Sequence, residues 1–153
     1  MSQIKHPVAY WIFILFLALS ILLMLAGQTL SVFDYDLAVR WGLQESLADV
    51  GEFGVQVNRS FGASDTVVYV PLLLASLFGL LKKKRWSIQM TAATAGVSAY
   101  WSTTIIFIFL FSPGAGGYNY IPGPEIWFFV VTYLIFGVWG LFYVTIRGQK
   151  LLL

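Results

Sequence analysis

Apolar residues gather into four long runs separated by short polar stretches. Each run can cross a hydrocarbon core of about 30 Å at 1.5 Å per residue. The runs cover residues 8–27, 63–81, 86–111 and 126–146. This pattern predicts an all-α membrane protein with four transmembrane helices. The first run, VAYWIFILFLALSILLMLA, is unbroken. It exceeds the roughly 7–15 residues of a signal-peptide core, and Gly27, Gln28, Thr29 and Leu30 make a poor cleavage site. It therefore reads as a retained anchor. Tyr10 and Trp11 near its start belong to an interfacial aromatic belt.

Between the first two runs lies the charged segment 34–62. Val39, Leu43, Leu47 and Val50 recur at helical spacing, with Glu45, Asp49 and Glu52 on the opposite face. The segment is expected to be an amphipathic helix on the outer membrane surface, with a start that Asp34 or Asp36 can cap and a weak end at Gly51 and Gly54. Pro71 interrupts the second run and predicts a kink. The third run is polar and small in its first half. Thr91, Ala95, Ala99 and Thr103 recur every four residues, a seam that lets another helix approach closely. Residues 112–125, SPGAGGYNYIPGPE, form an outer loop rich in glycine, proline and tyrosine. Pro124 and Glu125 suit the first turn of the fourth helix.

Composition agrees with this picture: 59% of residues are hydrophobic and 10% charged. A soluble domain averages roughly 25% charged residues, so this chain would have too little surface to offer water. The few charges are sorted by sign. Lys5, Lys82, Lys83, Lys84, Arg85, Arg147 and Lys150, seven of the nine cations, fall on one side of the predicted bundle, and all seven carboxylates fall on the other. The positive-inside rule then places both termini and the Lys82–Arg85 turn in the cytoplasm, with that turn as the topology determinant. A bacterial inner membrane is the expected location.

Reactive groups are scarce. There is no cysteine, so disulfides, thiol catalysis and thiolate metal sites are excluded. The one histidine, His6, precedes the first run and offers no axial haem ligand at membrane depth. No lysine lies at membrane depth to hold retinal. Asp65 and Glu125 stand nearest the outer boundary. As a pair across a cleft they would suit acid–base work or a divalent cation, and as separate groups each would sit at a helix N-terminus where the dipole stabilises an anion. The latter expectation is preferred, and no catalytic or metal-ligating residue is assigned. Asn58-Arg59-Ser60 matches the short glycosylation acceptor pattern. Thr94, Ser98, Tyr100, Trp101 and Ser102 mark a candidate groove for a lipid or another hydrophobe on the third helix.

The leading run, the outer segment opening VFDYDLAVRW and the span–basic-turn–span hairpin resemble in layout the N-terminal half of type 2 phosphatidic-acid phosphatases, over about residues 8–104. The Lys…Arg-Pro, Pro-Ser-Gly-His and Ser-Arg…His motifs of that family are absent here, so no site residue carries over. What the resemblance implies is a catalytically dead relative. The residues themselves point first to a non-enzymatic accessory or scaffold subunit, packing against other membrane subunits or copies of itself among the membrane lipids. The second expectation is a homo-oligomeric protein that binds or transports a lipid or small hydrophobe. No cofactor beyond such a bound hydrophobe is expected, and the small net charge gives no reason to expect nucleic acid.

Overall fold

The computed structural model describes residues 7–153, so Lys5 and His6 lie outside the described residues. Over that range the chain is helical, with no strand. Helix α1 spans Val8–Phe33, α2 Tyr35–Arg40, α3 Leu47–Leu81 and α4 Ser87–Phe111. Helix α5 covers Pro124–Arg147 and runs into a 3₁₀ turn, Gly148–Leu152. Helices α1, α3, α4 and α5 are long and apolar enough to cross a membrane, which makes this an integral, multi-pass membrane protein. Large apolar side chains such as Leu15, Leu22, Phe78, Phe128 and Phe142 face outward along the bundle. Lipid can cover them; water would not.

Successive helices run in opposite directions, so the ends of the bundle differ. One end carries the basic turn 82–86 and the C-terminal 3₁₀ turn, tied together where Lys83 Nζ donates to the Leu153 carbonyl at 2.8 Å. The other carries the connections 34–46 and 112–123 with most of the carboxylates. We call them the basic and acidic ends. The basic turn is closed by paired backbone bonds, Lys84 N to Gly79 O and Lys83 N to Leu80 O, which is the Schellman pattern. Lys83 takes the left-handed position with φ 50°, where glycine is usual. Gly79 makes the hairpin tight, since a Cβ there would lie 2.5 Å from the Ser87 Cβ and against the Trp86 ring.

The amphipathic segment differs from its expectation. Gly42 (φ 69°) stops α2 after six residues, and Gly51 (φ 70°) breaks the backbone again, so Val39, Leu43, Leu47 and Val50 never share one helical face. Ser46 starts α3 with a capping box: its hydroxyl accepts from Asp49 N, and the Asp49 carboxylate accepts from Ser46 N. Beyond Gly51 the helix continues into the second span. Asp65 therefore sits in mid-helix and not at a helix N-terminus, which corrects the reason expected for its charge.

Two π-turns interrupt the long helices, Met24–Thr29 in α1 and Asp65–Tyr69 in α3. The second directly precedes Pro71. A proline has no N–H to donate and its ring crowds the carbonyl four residues back, so a widened turn relieves both problems. The two π-turns meet. Thr66 Oγ1 donates to Thr29 Oγ1 at 2.9 Å, and a Cβ on Gly62 would lie 2.5 Å from the Gln28 carbonyl oxygen.

Toward the basic end the packing is dense and aromatic. Phe16 stacks on Phe136, and Phe13 stacks on Trp139 while meeting Phe136 edge-on at 5.2 Å. The small-residue seam of α4 is used within the chain: Gly137 lies against Ala95 and Ala99, and Gly140 against Ala95. Thr91 at one end of the seam is buried, whereas Thr103 at the other is exposed. Close backbone approach of this kind drives helix association where no hydrophobic force operates between helices.

Candidate functional site

Bundle-centre hydroxyls are paired. Tyr69 OH and Ser98 Oγ lie 2.6 Å apart, and Ser76 Oγ and Thr94 Oγ1 2.9 Å apart. Tyr133 OH donates to Ser20 Oγ at 2.7 Å, and Ser102 Oγ donates to the Ser98 carbonyl. Of the five residues expected to form a groove on α4, Thr94, Ser98 and Ser102 thus bind neighbouring helices or their own backbone. Tyr100 is exposed on the outer face, and Trp101 alone lines a cavity.

That cavity, of about 140 Å³, lies toward the acidic end between α1, α3, α4 and α5. Its walls are apolar, with Phe61, Ile105, Phe109, Ile126 and Phe129, and Trp101 contributes from α4. Gln28, Gln44, Glu45 and Asn58 supply the polar lining. Gln28, Leu43, Gln44, Glu45, Ile126 and Phe129 also border a wider cleft of about 430 Å³, which adds Asp49, Tyr120 and Glu125. Among the described residues no lysine or arginine lines either space.

The polar lining is held by a small network. Asn58 Nδ2 donates to Glu45 Oε2 at 2.7 Å and to Tyr35 OH at 3.0 Å, and Tyr35 OH donates to the Glu45 carbonyl at 2.9 Å. Asn58, the residue of the glycosylation pattern, is therefore engaged inside a helix. Burial pushes the Glu45 carboxyl above its usual range, the Asn58 bond opposes that shift, and the Asp49 charge adds to it. Tyr120 in the loop is pushed up to about 12 by burial first and by the nearby Glu45 charge second. The same loop is pinned to α3 where Asn119 N donates to the Asp49 carbonyl at 2.6 Å. Gly51 passes so close to Gly117 that a Cβ would lie 3.2 Å from the Gly117 oxygen. Both glycines have positive φ, so two backbone chains roof the site with no side chain between them.

Three buried polar atoms at this end have no hydrogen-bond partner: Gln28 Oε1, Trp101 Nε1 and Asp65 Oδ2. Gln28 and Trp101 line the cavity, and Asp65, 5% exposed, lies beside the Trp101 indole without meeting full hydrogen-bond geometry. Asp65 stands 16 residues from Leu81, about 24 Å along the helix at 1.5 Å per residue. That distance is most of a hydrocarbon core of about 30 Å, so Asp65 lies toward the acidic end of its span. The expectation that Asp65 sits at a helix N-terminus arose from taking the helix to begin at 63. Glu125 is a different case: its carboxylate folds back over Gly123 at the start of α5, and it is exposed at the mouth of the cleft. The structure does not bring these two carboxylates together. Gln28, Gln44, Glu45 and Asn58 went unassigned in the sequence, since they converge only through the α1–α3 connection.

Compared with models of known protein families, with curated proteins and with solved structures, the chain matches none.

Proposed function

We propose that this protein binds and handles a small hydrophobic or amphipathic molecule in the cavity at the acidic end. The observation that carries the reading is the cavity itself: apolar walls, a few polar groups at one side, and unpartnered polar atoms on Gln28 and Trp101. Ligand sites combine an apolar enclosure with a few orienting polar groups in this way. Charge sorting supports an orientation with both termini and Lys82–Arg85 in the cytoplasm, so that the cleft opens on the opposite face of a bacterial inner membrane. No catalytic role is assigned, because Asp65 and Glu125 lie in separate surroundings. Descent from a phosphatase would leave no trace of phosphate binding here, since among the described residues no cation lines the cleft.

The accessory-subunit reading loses part of its motive, because Ala95 and Ala99 already pack on α5. What favours it still is the outward face of α4, where Tyr100, Phe107 and Phe111 stand exposed at helical spacing.

Native mass spectrometry of the protein released from nanodiscs separates the two readings. The first expects a retained hydrophobe at one per chain, lost when Ile126→Trp fills the cavity. An empty protein that behaves identically with and without Ile126→Trp, or one that always carries a second protein species, would overturn it.

A further inference from the structure

The lining of the cavity points to the charge of its ligand, an inference that rests on the binding reading above. We infer that the cavity takes an organic ammonium with an apolar body, and discriminates against anions and neutral analogues of the same shape. Gln28 Oε1 and the Glu45 carboxylate present acceptors, and Asp49 and Glu125 add negative charge at the mouth. No lysine or arginine among the described residues balances them there. An anionic headgroup would meet carboxylates without a counter-charge, which costs more than any contact it could gain in a site partly withdrawn from water.

The aromatic lining supports the same sign. Trp101, Phe109, Tyr118 and Phe129 all line the inner cavity, and aromatic faces attract cations through their quadrupole. Trp101, 8% exposed, is held firmly in that wall. The Asp65 carboxyl stands behind that wall and outside the lining, whereas Glu45 lies in the lining itself. A bare divalent ion is a poor occupant, because among the described residues no three carboxylates gather closely enough to hold one. Apolar walls made by Ile105, Ile126 and Phe61 suit a hydrocarbon body instead.

The test uses the whole chain in phosphatidylcholine nanodiscs, with radiolabelled octylammonium as the probe and protein-free nanodiscs as the blank. Octanol and octanoate serve as competitors of equal length. Saturable octylammonium binding is expected at neutral pH, displaced about tenfold less well by octanol and not at all by octanoate. Glu45→Gln should weaken it about five- to tenfold, Asp65→Asn should weaken it in the same direction, and Ile126→Trp should abolish it. Variants in two separate segments, the α2–α3 connection and α3, guard against misfolding of either one. If octanol or octanoate competes as well as octylammonium and Ile126→Trp removes both, the charge inference falls while the cavity reading stands. If none of the three binds saturably, or binding survives Ile126→Trp, the charge inference falls. Only a protein that also retains no hydrophobe from its membrane would bring down the cavity reading with it.

Discussion

The two ends of the bundle treat polar groups in opposite ways. Toward the basic end and the centre, hydroxyls on four helices bind one another or a carbonyl one turn away, and glycines let backbones touch. Toward the acidic end both long helices widen into π-turns, a cavity opens, and Gln28, Trp101 and Asp65 keep polar atoms without partners. In a membrane an unpaired polar group is costly, so the dense half reads as fold and the open half as site. Thr91 is an exception: its buried Oγ1 has no partner, and nothing in the structure explains why.

The comparison is broken most severely at Gly137. Any side chain there meets the backbone of Ala99 at 2.5 Å, which cannot move aside as a flexible side chain would. Gly137→Leu should cost more than the roughly 1–3 kcal/mol of ordinary overpacking, and leave little monodisperse protein on size-exclusion chromatography. A variant that elutes and melts like the parent would refute the close α4–α5 contact. Ser98→Ala is milder. It strands the buried Tyr69 hydroxyl, and the melting curve in detergent should report a loss of about 1 kcal/mol, up to roughly 2.

Asp65→Asn sharpens the contrast because its expected sign is reversed. The Asp65 carboxyl is buried with Oδ2 short of a full hydrogen bond, so stability should be unchanged or rise by up to about 1 kcal/mol while ligand binding weakens. A loss as large as that of Ser98→Ala would move Asp65 from site to scaffold. The smallest effect lies in pH dependence. Burial raises the Glu45 pKa, so the folded protein holds that proton more tightly than the unfolded chain. Stability should therefore be fully kept below the ordinary carboxylate range and fall as pH rises through the raised value. Glu45→Gln should flatten that part of the stability–pH curve, and a slope unchanged by the substitution would assign it to another group.

The four long apolar helices and the sorting of charge by sign were legible along the chain, because lipid demands long apolar runs and local sequence supplies them. Of the expected small-residue seam, Ala95 and Ala99 meet Gly137 while Thr103 is exposed: periodicity shows a face without showing which helix covers it or how far. The amphipathic segment was misread for a local reason. Its hydrophobic spacing suits one helix, and the positive φ of Gly42 and Gly51 divides it.

Span number and the dense hydroxyl-bearing face of α4 follow from residue type and period, which are properties of single segments. The cavity does not. Gln28, Glu45, Asn58 and Trp101 are far apart in sequence, and they meet only because a six-residue helix and two π-turns bend three segments onto one another. The burial of Asp65 was likewise decided by tertiary structure, since the helix that carries it extends back to Gly51 and packs against its neighbours. Burial against neighbouring helices, which no local pattern encodes, is what turns a carboxylate near a boundary into one enclosed within the bundle.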